Sequence, residues 1–414
     1  MVAAAATPSC GTEPVTLKAY FETGFDLPSK LSEEFTKQFP NVTWDISQDQ
    51  FTNLINETPR LLAGDNPPDL IRLPTMVSFA KDGLLKNLDD YAAAFGWDKW
   101  PVPQLDQNRV GEDGTRGSGS LYAMGLNYSL TGIFYNKKLA EQIGMKEPPK
   151  TLAEFEDLLA KAKDAGLLPI MEWGSAKSGM GLAFPLQALM ASVGSTQPIN
   201  DWIFQKKGAT IDTADNLKAA QHLEQWVKNG YFPPDINAIE YTDAAARFTK
   251  GEGVFTFNGD WQNAAYDEAM AGNVGFFLMP PADASGSPAA MSAPLTYGIA
   301  ANAKNADCAA FFFNWVASDP TARQIDVTVG GSNPGGPADA TIPEVAAGSV
   351  TNDTLAAGVV VGKAGTAMDF IANATSAIFA QGWTPELQKM VGGKQDAAGL
   401  LKAVQAAYER ELSQ

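Results

Sequence analysis

VTLKAYFETGFDLPSKLSEEFTKQFPNVTWDI, residues 15–46, is the stretch from which the fold can be read. Val15 to Tyr20 alternates well enough for a strand. Phe21-Glu22-Thr23-Gly24 follows as a loop. Pro28-Ser29 open an amphipathic helix in which Leu31, Phe35 and Phe39 share one face, and Pro40 stops it. Asn41 to Ile46 reads as a second strand. Strand, helix and strand in so short a span point to a parallel α/β sheet.

The pattern continues outward. Asn53 to Ala63 reads as helix, Gly64 to Pro68 as a break, and Asp69 to Leu73 as a short buried strand. Residues 96–120 read as irregular. Leu121 to Met124 and Gly132 to Tyr135 read as two extended segments joined through Asn127-Tyr128-Ser129. Thr151 and Glu154 form a capping box for a helix whose buried stripe is Leu152, Phe155, Leu158, Leu159 and Ala162. Asp215 is expected to cap a helix over Asn216 to Asn229. Gly253 to Phe257, Val274 to Met279 and Thr296 to Ala301 read as strands. Ala306 to Ala317 and Gln395 to Leu412 read as helices, and no internal repeat is visible.

At roughly 150 residues per domain, a chain of 414 residues implies two or three domains. Hydrophobic residues at 45% and charged residues at 19% are the balance of a globular protein with a core. The net charge of −17 and the lack of any basic patch argue against nucleic acid or an anionic membrane surface as partner. Residues 1–14 read as a disordered leader without a signal peptide. Met1-Val2 fit a start added where a native signal was removed, and Thr7-Pro8-Ser9 fit poorly the approach to a lipid-bearing Cys10. Cys10 and Cys308 are either a disulfide, which suits an exported protein, or two unpaired thiols.

His222, the one histidine, lies mid-helix and reads as a surface or packing residue. That nearly excludes a histidine-based zinc site or a Ser-His-Asp triad. No phosphate-binding glycine loop, dinucleotide fingerprint or calcium loop is present, so no cofactor and no metal is expected. Among nine tryptophans, Trp226 and Trp315 fit apolar stripes. Trp173, Trp261 and Trp383 sit at element ends beside glycine or polar residues, where an indole can offer a flat face to a sugar ring.

These segments resemble the extracellular solute-binding proteins of sugar ABC transporters, the maltodextrin-binding-like family. The resemblance spans about residues 15–412. It rests on FTKQFP (35–40) before NVTWDI, NPPDLI (66–71), GLLKNLD (83–89), IFYNKKL (133–139), PPKT (148–151), TFNGDW (256–261) and the run from Tyr297 to Trp315.

The resemblance implies an α/β, two-lobed periplasmic-binding-protein fold of type II, each lobe a mostly parallel sheet flanked by helices, with the ligand in a hinged interlobe cleft. The lobes would be residues 15–126 with 297–330, and 127–296 with 331–414. The implied ligand contacts are Phe21, Glu22, Gln48, Asp49 and Arg72 in the first lobe. In the second they are Glu172, Trp173, Asn258, Asp260 and Trp261, with Asn127, Tyr128 and Tyr297 at crossings and Asn333 and Trp383 on late segments. The run after Arg72 lacks the Trp and Asp of maltodextrin binders, which argues against an α-glucan. A disaccharide or short oligosaccharide, β-linked xylo- or cello-type, is the expected ligand. The expected partners are ABC permease subunits, the expected state is a monomer without enzymatic activity, and the expected location is extracellular, cell-surface attached or periplasmic. A non-sugar solute, a glycan-active enzyme and an adhesin stay open as alternatives.

Overall fold

A computed structural model describes residues 7–413 apart from Pro101, Met180, Ala338, Asp339, Ile342 and Ser376, so part of the expected leader lies outside the described residues. Five strands come early: β1 (Val15–Glu22), β2 (Val42–Asp49), β3 (Leu70–Arg72), β4 (Arg109–Val110) and β5 (Ser120–Leu121). They are followed by β6 (Ala123–Asn136), β7 (Phe255–Gly259), β8 (Val274–Phe277), β9 (Ala290–Gly298) and β10 (Ala367–Met368). The chain forms two compact units, Met1–Tyr128 with Pro294–Val345 and Ser129–Ala293 with Ala346–Gln414. Residues 331–345, expected in the second lobe, therefore belong to the first unit. Hydrogen bonds hold them there: Tyr128 N–H donates to Asn333 O at 2.8 Å, and the buried Arg323 donates to Gly335 O at 2.7 Å.

In the first unit β1 pairs in parallel with β2 from Val15 opposite Val42 to Glu22 opposite Asp49. β3 joins β1 in parallel, and β9 follows antiparallel to β3, with β6 next in the row. Phe21 and Glu22, read as loop, extend β1 because their partners Gln48 and Asp49 continue β2. The helix Leu27–Gln38 buries Leu31 and Phe35 and leaves Lys30–Glu33 and Lys37–Glu34 pairs on its outer face. Phe35 is the centre of an aromatic core, with ring centroids 5.2 Å from Phe312 and 5.1 Å from Trp315. Cys10 is bonded to Cys308 within this core, so the segment before β1 is tied down rather than loose. Closing so long a loop contributes about 2–5 kcal/mol. The β4–β5 hairpin lies within and just after the stretch read as irregular.

The second unit departs from a mostly parallel sheet. β6 pairs antiparallel with both β7 and β8, and the parallel contacts are the short β10–β9 pairing at Ala367–Ala290 and Met368–Met291 and a bridge from Ile170 to Phe255. β6 enters this unit as the continuation of a strand begun in the first. Its direction is thus set by the crossing and not by a strand–helix–strand unit. It also runs unbroken through Asn127-Tyr128-Ser129, where a linker was expected. Thr151 caps its helix as read, whereas Thr213, not Asp215, caps the helix Ala214–Lys228. Trp226 and Trp315 are buried. His222 Nδ1 lies 2.7 Å from Glu156 Oε1, and that bond raises the imidazole above its ordinary value.

Candidate functional site

β7 is buried at every position, which leaves its outgoing turn to carry anything a ligand can touch. The 3₁₀ turn Asp260–Gln262 puts Trp261 at that exit, half-buried. A Cβ on Gly259 would stand 2.0 Å from the indole's six-membered ring, so only glycine lets the ring lie against this backbone. The indole N–H donates to the Tyr241 hydroxyl at 2.7 Å, and Gln262 Nε2 donates to the same oxygen at 2.5 Å. Tyr241 in turn donates to Asn258 Oδ1 at 3.2 Å. The indole's polar edge is thus satisfied internally, and what the ring can offer is its apolar surface.

A layer of polar groups lies beneath. Asn258 is 1% exposed; its Nδ2 donates to the Tyr266 hydroxyl, and its Oδ1 also accepts from Gly259 N–H. Asp260, 2% exposed, accepts the Leu130 N–H on Oδ2 at 2.9 Å, which fixes the turn against β6. Glu172 accepts the Phe257 N–H at 2.7 Å. Burial pushes the Glu172 carboxyl well above its usual range, and the N–H groups of Phe257 and Trp173 only partly oppose this. Its bond to the Phe257 N–H ties the carboxyl to β7. Trp173 is buried edge-on against Tyr241 at 4.8 Å.

Trp383 does not join this group. It is fully buried, donates its N–H to Ile371 O, and packs edge-on against Trp202 at 5.9 Å. Its neighbours Gly382 and Thr384 are buried too. Tyr241, Gln262, Phe184 and Phe370, which the structure brings to Trp261 or its neighbours, carried no local motif in the sequence.

In the first unit, Glu22, Arg72 and Tyr297 come together at the ends of β1, β3 and β9. Arg72 Nε lies 3.7 Å from Glu22 Oε2, and the guanidinium sits 5.8 Å from the Tyr297 ring centre. Arg72 also donates to the carbonyls of Leu73 and Thr296. Burial raises the Glu22 carboxyl and Arg72 opposes it; 26% of the Glu22 side chain remains exposed, so water screens both effects. Phe21 is fully buried against Tyr297, which makes it a core residue. Asp49 is committed locally: it accepts from Asn53, the Gln50 N–H and the Tyr20 hydroxyl, and these bonds hold its carboxyl below the usual range. Gln48 is exposed on the outer strand β2. Asn127 is buried in β6, and Tyr128 and Asn333 are joined backbone to backbone. Among the described residues no cluster of histidine, cysteine and carboxylates could hold a metal ion, and no helix is long and apolar enough to cross a membrane.

The family model for bacterial extracellular solute-binding proteins matches residues 12–323. The chain therefore belongs to the bacterial extracellular solute-binding protein family. It is 26% identical over 196 residues to a "Probable sugar-binding periplasmic protein" of Mesorhizobium japonicum, covering 47% of this chain and 44% of that one. It is 27% identical over 217 residues to a protein of the same description from Rhizobium meliloti, covering 51% and 48%. The matched part thus spans about half the length of these curated relatives. Among solved structures, a chitin oligosaccharide binding protein superposes with a TM-score of 0.80 at 20% identity, covering 96% of this chain and 99% of that one. Maltose-bound MalE3 of T. maritima gives 0.74 at 16% identity over 96% and 99%. At such identities the likeness is one of fold, and it agrees with the two α/β units.

Proposed function

We propose that this protein captures a sugar outside the cytoplasm and delivers it to the permease subunits of an ABC importer. The observation that carries this reading is the half-buried Trp261, whose N–H is tied to Tyr241 while its ring stays at the surface. Sugars present apolar C–H faces, and a rigid indole with its polar edge already satisfied fits them at little conformational cost. We assign Trp261 the stacking role. Tyr241, Asn258 and Asp260 hold it in place. In the first unit, Glu22 and Arg72 are assigned as an acceptor and a donor for hydroxyls, and Tyr297 as a buried partner to Arg72. The protein acts as a monomer and performs no chemistry on its ligand. The preferred ligand is a disaccharide or short oligosaccharide, with the β-linked xylo- and cello-series first. Relatives described as sugar-binding support the class.

A thermal-shift screen over xylo-, cello-, malto- and galacto-oligosaccharides tests this. A ligand at a hundred times its Kd stabilises the folded state by about 2.7 kcal/mol, enough for a clear rise in Tm. One series should shift the transition. A flat response to every sugar would sink the reading.

A further inference from the structure

Asp326, in the helix Pro320–Thr328 of the first unit, is 0% exposed, and among the described residues neither of its carboxylate oxygens has a hydrogen-bond partner. Asn127 of β6 is in the same condition, 0% exposed with neither its amide oxygen nor its nitrogen paired. Buried polar groups are almost always paired, so two in one unit need a cause. They border one spot. Gly330 follows Asp326 by four residues and continues the same face of the helix. A Cβ on Gly330 would stand 3.1 Å from Asn127 Nδ2 and 2.6 Å from Asp326 O, so a side chain there would fill the place where the two segments approach. Ser332, also 0% exposed, closes the spot: its N–H donates to Asp326 O at 3.4 Å and its hydroxyl to Gly330 O at 3.0 Å. An internal ion pair does not account for Asp326. Arg323 lies three residues back on the same face, but its guanidinium is committed to the carbonyls of Ala317, Gly335 and Thr341 and acts on Asp326 only at a distance.

Protonation does not account for it either. A neutral carboxyl pairs with an amide through two bonds, yet Asn127 Nδ2 reaches neither oxygen of Asp326. The two groups thus stand too far apart to serve each other, and what serves both must sit between them. The tally of unpaired atoms says what that is. Asp326 Oδ1 and Oδ2 and Asn127 Oδ1 are three acceptors, against the single donor Asn127 Nδ2. An excess of acceptors around one carboxylate selects an electropositive occupant. We infer that the Asp326 carboxylate and the Asn127 amide oxygen form a buried site for one monovalent cation, sodium or potassium, in the first unit. Ligands that are all oxygen suit a hard cation. One carboxylate balances one positive charge, and among the described residues no further acidic group gathers to hold a divalent ion. Turning the Asn127 amide about its last bond exchanges oxygen and nitrogen, so the oxygen can face the ion. Asn127 stands one residue before Tyr128, where β6 leaves the first unit. The ion would therefore tie β6 to the helix Pro320–Thr328 at that exit. None of this depends on which solute the protein carries.

The test is thermal unfolding of the full chain, without sugar, in sodium, potassium and choline chloride at one ionic strength, with calcium chloride as a separate arm. An ion that binds only the folded state stabilises it by mass action, so sodium or potassium should raise Tm by a few degrees over choline and saturate with concentration. Asp326→Asn keeps the shape and removes the charge. It should abolish the difference between salts, and its Tm in choline should be no lower than the parent's, because a lone buried carboxylate is gone. Asn127→Ala should raise the half-saturating concentration by about tenfold. Sodium NMR gives a readout on the folded protein that does not pass through stability. The parent should broaden the sodium line, and Asp326→Asn should leave it sharp. Equal Tm in every salt with an unchanged sodium line overturns the site and assigns the spot to water or a proton. A salt response that survives in Asp326→Asn overturns the choice of residues. A response to calcium alone overturns the single charge.

Discussion

Trp261 and Trp383 occupy the same unit and look alike in sequence, each an indole following a glycine-containing turn, yet they end in opposite environments. Trp383 donates its N–H to a backbone carbonyl and is enclosed by Trp202 and neighbouring helical residues. Trp261 donates to a side-chain hydroxyl, stays half-buried, and adjoins the partly exposed Phe184–Phe370 pair. The difference teaches that the type of residue at a turn does not decide between core and surface. What decides is whether a later segment of chain covers the ring. The segment Ile378–Trp383 packs against the C-terminal helix Ala397–Leu412, whereas the turn Asp260–Gln262 ends a buried strand at the surface.

Truncation should separate the two most sharply. Trp383→Ala empties a fully packed position and should cost about 3–5 kcal/mol of stability, read by urea unfolding, with ligand affinity unchanged in whatever fraction stays folded. An affinity loss without destabilisation would break the comparison. Gly259→Ala comes next. Its methyl displaces the Trp261 ring, so affinity should fall about tenfold while Tm moves by only a few degrees. Unchanged affinity would mean that the ring's resting place is irrelevant to binding.

The smallest effect concerns pH. Burial raises the Glu172 carboxyl in the folded state, so the fold binds a proton that the unfolded chain has released. That contribution is fully present below the unfolded value of about 4.3 and is lost as pH rises through the raised folded value. Asp326, also buried, shifts in the same direction in the first unit. Glu172→Gln keeps the bond to the Phe257 N–H and cannot ionise. Its stability should decline less between about pH 5 and 8 than the parent's, as followed by denaturant melts at each pH. Parallel curves would show that Glu172 is ionised when folded.

Much of the first unit was legible because its elements are local. β1, the helix Leu27–Gln38 and β2 are consecutive, and Phe35 and Pro40 mark face and end within 46 residues of the start. Strand ends were less legible, since Phe21, Glu22 and Asp49 belong to strands only through pairing with each other. In the second unit the sheet direction was misread because β6 begins in the first unit, which no local pattern reveals. The site was half legible. Trp261 and Asn258 sit in a readable motif, but Tyr241, Phe184 and Phe370 come from three distant segments that tertiary packing alone assembles. The helix Ala183–Val193 buries most of its surface and lacks a polar stripe, so it carried no periodic signal. Phe21 and Trp383, expected as ligand contacts, are fully buried, which no local pattern reveals, because burial is a property of what packs over a residue.

The most direct measurement is calorimetric titration of the parent and Trp261→Ala with the oligosaccharide that gives the largest thermal shift. Affinity should fall about ten- to a hundredfold in the variant, with Tm of the ligand-free protein within a few degrees of the parent. Equal affinities in two equally stable proteins would contradict the account, because the ring that anchors it would then not touch the sugar.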